Sequence, residues 1–167
     1  TTPSLFSSLN FSGNITSVIG DIRDSKKFSK AFNDCKPEFV FHMAAQPLVL
    51  ESYKNPKETF DTNFTGTLNL LEILKEYRQK VQAVFITTDK VYENLELGFP
   101  FVETDKLGGK DPYSASKAAS EILIDSYVKS FFKDSNVSIA TARAGNVIGG
   151  GDWSENRLIP DIVRAKI

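Results

Sequence analysis

The chain has 167 residues, 41% of them hydrophobic and 25% charged, a composition typical of one globular domain that excludes disordered and collagen-like chains. Its 20 Lys and Arg against 21 Asp and Glu give a net charge of −1, so we expect no nucleic-acid partner and no membrane partner. The sequence has neither an apolar run long enough for a transmembrane helix nor a signal-peptide pattern at its start. The single cysteine, Cys35, fits a reducing cytoplasm, and with the single histidine, His42, it leaves no cluster for structural zinc. Nothing in the spacing of the carboxylates suggests a magnesium site, so we predict no metal site.

Short apolar segments alternate with longer helical patterns along the chain, which is typical of βα repeats around a parallel sheet. In the first half, the sequence predicts a strand at residues 16–19, a helix at 24–35, a strand at 38–43 and a helix at 55–77. Asp24 and Asn55 are the predicted N-caps of the two helices. Phe28 and Phe32 lie four residues apart and should share the buried face of the first helix. The candidate core residues of the second helix are Leu68, Leu71, Ile73 and Leu74.

In the second half, the sequence predicts a strand at residues 83–88, a helix at 111–132, a strand at 137–142 and an amphipathic segment at 158–163. Asp111 precedes Pro112, a pair that suits a helix N-terminus. The polar connection at residues 92–110 is long and is therefore a candidate binding loop. Residues 145–156 form a glycine-rich loop.

The predicted elements fit part of a doubly wound sheet of strand order 3-2-1-4-5-6, in which the first strand carries a glycine-rich phosphate turn. No G-x-G-x-x-G pattern follows a predicted strand, and two strands are lacking if residues 16–19 are the third. We therefore predict an incomplete Rossmann-like α/β domain with a parallel sheet, an interior part of a longer chain. Residues 1–167 would lack the first βαβ unit and most of a substrate-binding part that begins at about residue 144. A complete small α/β domain with its own strand order is the alternative.

Tyr113 and Lys117 lie near the start of a predicted helix at a spacing that puts the phenol and the ammonium on the same face. A tyrosine with an ordinary pKa of about 10 is a poor base at neutral pH, and a nearby lysine cation favours the phenolate. The sequence thus predicts a tyrosine–lysine acid–base pair. An ordinary surface pair is the alternative, because this spacing often occurs by chance.

The predicted strand at residues 83–88 ends in polar side chains at the sheet edge where open parallel sheets bind ligands. Thr88 offers a hydroxyl group, Asp89 a proton donor and Lys90 a second amine. We predict that these three residues line one cleft together with the tyrosine–lysine pair. A polar exit from a strand is the alternative.

These motifs resemble the extended short-chain dehydrogenase/reductase family and, within it, the nucleotide-sugar 4,6-dehydratases. The matching segments are residues 20–24, 42–47, 62–67, 87–94, 108–117, 143–153 and 157–161. The resemblance implies an enzyme with tightly held NAD and a nucleotide-sugar substrate. It favours CDP-glucose over other nucleotide sugars as the substrate, mainly because of residues 88–90 and 149–153.

The resemblance also implies a redox-neutral lyase reaction that feeds deoxysugar and polysaccharide biosynthesis. Tyr113 would remove the proton of the sugar 4-hydroxyl as hydride leaves carbon 4 for NAD, while Thr88 hydrogen-bonds that hydroxyl. Lys117 would lower the pKa of Tyr113 and bind the nicotinamide ribose. The resulting ketone acidifies the proton on carbon 5, Asp89 would protonate the departing 6-hydroxyl, and hydride would return to carbon 6.

Lys90 departs from the relatives that act on dTDP-glucose, which have a glutamate here as the base for carbon 5. A lysine could act as this base only in its neutral form, which requires a pKa lowered by burial or by neighbouring cations. Stabilising the enolate by its positive charge is the alternative role.

For the cofactor, the resemblance implies that Asp21 and Ile22 lie beside the adenine and that the Asp21 carboxylate accepts a hydrogen bond from its amine. The other implied NAD-binding residues are Ala44, Ala45, Gln46, Asn63, Thr87, Tyr113 and Lys117. A partly exposed helix residue without contact to NAD is the alternative for Asn63, and His42 is expected to pack within its strand.

For the substrate, Asn146 and Arg157 match positions that approach the nucleotide phosphates, where an arginine fork suits bidentate contact, and Leu158 is grouped with them. The helices that begin near Pro56 and Pro112 are implied to pair two subunits into a homodimer through a helix bundle. Two functional alternatives remain: a related 4-epimerase or other 4,6-dehydratase, and a non-catalytic nucleotide-sugar-binding domain.

Overall fold

The computed structural model describes residues 5–9, 15–96 and 98–166. These residues form two compact units. The larger unit is Ile19–Gly145, and the smaller one combines the described residues of Thr1–Val18 and of Asn146–Ile167.

Three parallel strands form the sheet of the larger unit: β1 (Phe39–His42), β2 (Val81–Thr88) and β3 (Val137–Ala144). The strand order is β1-β2-β3, and the register places Phe85 beside His42 on one side and Thr141 on the other. Parallel strands that are adjacent in chain order require helical crossovers between them. The predicted parallel α/β sheet is therefore confirmed.

Helices supply these crossovers. In chain order, the helices of the described residues are α1 (Leu5–Ser8), α2 (Ser25–Cys35), α3 (Val49–Lys54), α4 (Pro56–Phe60), α5 (Gly66–Glu76), α6 (Pro112–Tyr127) and α7 (Leu158–Arg164). A π-helical turn (Asp61–Thr65) joins α4 to α5, a second one (Val128–Phe132) extends α6, and a 3₁₀ turn (Asp89–Val91) follows β2. None of the helices in these described ranges is long and apolar enough to cross a membrane.

The core lies between α2, α5, α6 and one face of the sheet. Its buried members are Phe32, Leu70, Leu71, Ile73, Leu74, Val81, Ala83, Phe85, Ile124, Phe132 and Val137. Alternate residues of β2 point to this side, as expected for a strand with one face covered by helices. Each fully buried Leu or Phe side chain contributes about 1.5–3 kcal/mol to the free energy of unfolding.

The predicted core residues are confirmed with one exception. Phe28 packs against the core beside the buried Phe32, as its spacing predicts. Leu68, however, is only half-buried, because it lies at the edge of the helix face that Leu71 and Leu74 define. The fully buried position near the start of this helix belongs to Leu70.

The predicted caps are confirmed at two helices and wrong at the third. The Asp24 side chain accepts a hydrogen bond from Lys27 N at 3.1 Å, and Asp111 accepts one from Ser114 N at 2.9 Å. Asn55 makes no such bond to α4. It also ends α3, which the sequence analysis did not predict, and its amide nitrogen donates instead to Glu51 Oε1 at 2.5 Å.

The predicted strand at residues 16–19 is also wrong. Residues 15–20 form no regular secondary structure, and Ile19 is 98% exposed. A strand needs a neighbour that pairs with its backbone N–H and C=O groups, and none of the described strand pairings involves this segment.

Candidate active site

The carboxyl end of β2 turns sharply so that two charged side chains face solvent. Thr88, which is buried, is the last residue of the strand; its hydroxyl donates to Asp89 Oδ1 at 3.1 Å and accepts from Lys90 N at 3.3 Å. This hydroxyl caps the 3₁₀ turn that follows. Asp89 and Lys90 are exposed as a result. A Cβ placed on Gly145, just after β3, would lie 3.8 Å from Asp89 Oδ2.

Helix α6 is fastened to the same strand end by Lys117. The Asp111 cap starts the helix at Pro112, which places Tyr113 in its first turn and Lys117 one turn later. Lys117 is 6% exposed, and its Nζ donates to Ile86 O at 2.8 Å, two residues before Thr88. The helix that carries the tyrosine–lysine pair therefore packs against the strand that carries Thr88.

Burial makes Lys117 easier to deprotonate than an ordinary lysine. Desolvation lowers the pKa of Lys117 from 10.5 to about 8, and the nearby Glu121 carboxylate opposes this shift. At neutral pH the side chain is still mostly cationic. It can then stabilise an anion such as a phenolate, and it loses this ability as the pH rises through about 8.

His42 is a neutral neighbour of this lysine. The Thr67 hydroxyl donates its one hydrogen to Asn63 O at 2.7 Å. At its 3.3 Å contact with the same hydroxyl, His42 Nε2 must therefore carry the hydrogen and donate it. Burial first, and then the charge of Lys117, lowers the pKa of His42 to about 4. The packing of His42 at the end of β1 agrees with its predicted structural role.

We expect His42 to make folding sensitive to mild acid. Its pKa is about 4 when folded and 6.5 ordinarily, so the unfolded state binds more protons between these values. Folding stability should fall as the pH drops from 6.5 to 4, by about 3 kcal/mol at most from this residue. Urea unfolding at several pH values would show a smaller pH dependence in His42→Asn than in the wild type. Equal pH dependence in both proteins would refute this role.

The Asn63 side chain holds the segment that follows β1 in place by hydrogen bonds to its backbone. Its Nδ2 donates to Gln46 O at 3.1 Å and to Ser116 Oγ at 2.9 Å, while its Oδ1 accepts from Gln46 N at 2.8 Å. The Gln46 side chain in turn donates to Thr59 Oγ1 at 2.8 Å. Asn63 is only 1% exposed, so it is not the partly exposed residue that the sequence analysis kept as an alternative. Its direct contact with NAD stays a prediction, because both amide hydrogens are used within the protein.

The turn that contains Asp21 and Ile22 lies against α5. A Cβ on Gly66 would lie 2.3 Å from Ile22 Cδ1, so only glycine lets the helix and Ile22 come this close. Asn69 Nδ2 donates to Ile22 O at 2.9 Å. The Asp21 carboxylate accepts hydrogen bonds from Arg23, from Nη2 at 2.6 Å among others, and these bonds lower the pKa of Asp21. An adenine amine would share this carboxylate with Arg23, and the adenine contact stays a prediction.

Thr87 points away from the exposed strand end. It is buried, and its hydroxyl donates to Glu121 Oε1 on α6 at 2.5 Å. The residue thus links β2 to α6, and its contact with NAD stays a prediction. Ala44 is exposed and Ala45 half-buried just after β1, where small side chains leave room for a ligand.

The roles of Glu121 and Arg143 were not predicted from the sequence. Glu121 is 5% exposed, and it accepts hydrogen bonds from Arg143 Nε at 2.9 Å and Arg143 Nη2 at 2.6 Å. One signal was present, since Glu121 lies one helical turn after Lys117 on the same face. Arg143 lies in a segment that carried the family resemblance, but no chemistry was assigned to it.

Apart from Thr88, which ends β2 in the larger unit, the predicted substrate residues belong to the smaller unit. Asn146 is exposed in a segment without regular structure, and Leu158, the first residue of α7, is 75% exposed. Arg157 is half-buried, and its Nη1 lies 3.6 Å from Asp152 Oδ2. Their contacts with a nucleotide stay predictions.

Comparison with known protein families shows which family the chain belongs to. The model of the family described as GDP-mannose 4,6 dehydratase matches residues 4–163. The chain belongs to this family. It is 48% identical, over 99% of its length, to the CDP-glucose 4,6-dehydratase of Salmonella typhimurium strain LT2, of which it covers 47%. The chain thus spans about half the length of the curated relatives it matches.

Solved structures of relatives share the fold. The dTDP-glucose 4,6-dehydratase of Bacillus anthracis in complex with NAD has a TM-score of 0.79 and 26% identity, over 96% of this chain and 47% of that one. The UDP-glucose 4-epimerase of Thermus thermophilus in complex with NAD has a TM-score of 0.73 and 34% identity, over 82% of this chain and 43% of that one. The predicted resemblance to nucleotide-sugar dehydratases is therefore confirmed.

Proposed function

We propose that this chain carries the catalytic groups of an NAD-dependent 4,6-dehydratase that converts CDP-glucose into CDP-4-keto-6-deoxyglucose. The observation that carries the proposal is the hydrogen bond from buried Lys117 to Ile86 O. It joins the tyrosine–lysine helix to the strand end that bears Thr88, Asp89 and Lys90. The identity with the CDP-glucose 4,6-dehydratase of Salmonella typhimurium supports CDP-glucose as the substrate.

The described residues fit NAD at the carboxyl end of the sheet. An ammonium group has three N–H donors. Since Lys117 gives one of them to Ile86 O, two remain for a ribose diol. Asn63 holds Gln46 in place after the small residues Ala44 and Ala45, and Ile22 is seated on Gly66. When bound, NAD supplies a hydride acceptor for carbon 4 and a hydride donor for carbon 6.

In the proposed first step, the Tyr113 phenolate removes the proton of the 4-hydroxyl. The Lys117 cation makes this phenolate accessible near neutral pH, because it stabilises the anion in a poorly solvated site. The Thr88 hydroxyl orients the reacting 4-hydroxyl from the strand end. The product of this step is a 4-ketone, which makes the proton on carbon 5 acidic.

In the proposed second step, water leaves across carbons 5 and 6. Asp89, in the 3₁₀ turn that follows β2, protonates the 6-hydroxyl as it departs. The carbon-5 proton must leave in the same step. It passes either to the amine of Lys90, which follows Asp89 in the 3₁₀ turn, or to water while the Lys90 ammonium stabilises the enolate by its charge. The same acceptor returns a proton to carbon 5 when hydride reaches carbon 6.

The product formed from CDP-glucose by the full-length protein tests the proposed function. Nuclear magnetic resonance of the product should show a 4-keto-6-deoxy sugar nucleotide. Formation of CDP-galactose would identify a 4-epimerase instead. Binding of CDP-glucose without any turnover would identify a non-catalytic binding domain.

We expect Asp89→Asn to separate the two steps. The amide keeps the shape of the side chain but supplies no acidic proton, so elimination should slow by about 10²–10⁴-fold. Oxidation at carbon 4 should stay near the wild-type rate, and the NADH absorbance should then accumulate in a single turnover. Asp134→Asn, at an exposed turn before β3, is a matched control that should leave both steps unchanged. Equal slowing of both steps by Asp89→Asn would contradict its role as the general acid.

We also propose that the protein acts as a homodimer. Helices α3, α4 and α6 expose large apolar side chains, and the clearest of these are Leu50, Tyr53, Phe60 and Ile122. Exposed apolar side chains in such a number often mark a protein–protein interface. We also propose a cytoplasmic location, which the free, exposed thiol of Cys35 supports. A further proposal, which rests on the proposed reaction, is that the protein acts in deoxysugar synthesis for polysaccharides.

A further inference from the structure

The long connection between β2 and α6 is held by a buried ion pair. Glu121 on α6 receives three hydrogen bonds from the guanidinium of Arg143 on β3, at 2.6 to 3.0 Å. The same carboxylate accepts the Thr87 hydroxyl of β2. The side chains of Glu121 and Arg143 are 4% and 17% exposed. A helix and two strands are thus tied together at one carboxylate.

Arg143 extends from this carboxylate to the 92–110 connection. The centre of its guanidinium lies 4.6 Å from the centroid of the Tyr92 ring, a cation–π contact. The Tyr92 ring stacks on Phe101, with 4.6 Å between the ring centroids and 4° between their planes. Arg143 Nη1 also donates to Glu103 O at 3.0 Å. The guanidinium therefore contacts the connection both near its start, at Tyr92, and at its middle, at Glu103.

The connection joins the two halves of the candidate site. It leaves the 3₁₀ turn that carries Asp89 and Lys90, and it ends at the cap of α6, just before Tyr113. Close packing couples this second end to α6, since a Cβ on Gly109 would lie 2.4 Å from Ala115 N. A displacement of the connection would therefore be transmitted to the turn that carries the acid and to the helix that carries the base.

We propose that Glu121, Arg143, Tyr92 and Phe101 form a clasp that positions Asp89 and Tyr113 for the reaction. All four act through the connection and are positioning residues rather than catalytic ones. The inference rests on the proposed function. A buried ion pair is weak evidence for stability, because desolvation of the two charges offsets most of their attraction. Loss of the clasp should therefore affect the geometry of the site more than the stability of the fold.

The test is the double variant Glu121→Gln/Arg143→Met in the full-length protein. Removing both charges leaves no unpaired charge in the interior, and the glutamine can still accept the Thr87 hydroxyl. We expect a melting temperature close to that of the wild type. We also expect backbone amides of residues 93–107 to exchange hydrogen for deuterium about tenfold faster. The kcat for CDP-glucose should fall about 100-fold, with KM within about threefold of the wild type.

Two further variants sharpen the test. Phe101→Ala removes the stacked ring but keeps the ion pair, and it should also speed exchange in residues 93–107 and lower kcat. Asp125→Asn/Lys129→Met removes an exposed ion pair between α6 and the π-helical turn that extends it, in which Lys129 Nζ lies 2.6 Å from Asp125 Oδ2. This variant should change neither quantity. Unchanged exchange in the clasp variants, or faster exchange with a wild-type kcat, would overturn the inference. A wild-type protein that makes no 4-keto-6-deoxy product would refute the proposed function, while the exchange experiment still tests the clasp.

Discussion

Tyr113→Phe is expected to reduce kcat for CDP-glucose by about 10³-fold, because it removes the oxygen that takes the proton of the 4-hydroxyl in the proposed first step. The phenyl ring is kept, and so is the half-buried packing of this first turn of α6. Binding of CDP-glucose and NAD to the full-length protein should therefore change little. Single-turnover measurements of carbon-4 oxidation would show the loss directly.

Tyr77→Phe is the matched control for this substitution. Tyr77 follows α5 near the amino end of β2, and its hydroxyl donates to Pro37 O at 3.2 Å. Removing that hydroxyl should leave kcat unchanged. A Tyr113→Phe variant that keeps more than about a tenth of the wild-type kcat would contradict the role of the phenol as the base.

Lys117→Met should have the second-largest effect, a fall in kcat of about 10²–10³-fold at neutral pH. The long apolar side chain fills the same space but cannot stabilise the phenolate. In the wild type, Lys117 loses its proton as the pH rises through its pKa of about 8, so kcat should fall above that pH. The variant should lack this fall, and its residual activity should instead rise with pH as the unassisted phenol ionises.

The pH dependence of folding stability should also differ between the wild type and Lys117→Met. The pKa of Lys117 is lower in the folded protein than its ordinary 10.5, so the unfolded state binds more protons between about pH 8 and 10.5. This residue therefore adds stability as the pH rises through that range, and Lys117→Met should lack the increase. Lys129→Met, at an exposed position of the π-helical turn that extends α6, should behave like the wild type. A variant that keeps the wild-type pH profile of kcat would contradict the role of Lys117.

Local features of the fold could be predicted from the sequence because their causes are local. Asp24 and Asp111 cap the helices that follow them, and Phe28 and Phe32 share a buried helix face, since only nearby residues decide these features. Asn55 was predicted wrongly because it also ends a preceding short helix whose six residues carry no clear periodic signal. The strand prediction at residues 16–19 is wrong because a strand depends on a distant partner.

The candidate site also combines features that nearby residues decide with features that depend on distant partners. The pairing of Tyr113 with Lys117 is predicted from helix spacing, and the structure adds the bond from Lys117 to Ile86 O that holds the lysine side chain against β2. The bonds that Asn63 and Thr87 make are long-range contacts, so no local pattern could indicate them. The clasp joins residues of three separate segments, namely β3, α6 and the 92–110 connection, and for this reason only the folded chain reveals it.

The path of the hydrogen on carbon 4 tests the central claim most directly. The full-length protein is incubated with CDP-glucose that carries deuterium at carbon 4, and the label is located in the product by nuclear magnetic resonance. The account predicts a 4-keto-6-deoxy product with the deuterium on carbon 6, because hydride removed beside Tyr113 returns after Asp89 has assisted the loss of water. Deuterium that stays on carbon 4 of a galactose epimer, or a product whose carbon 6 carries no label, would contradict it.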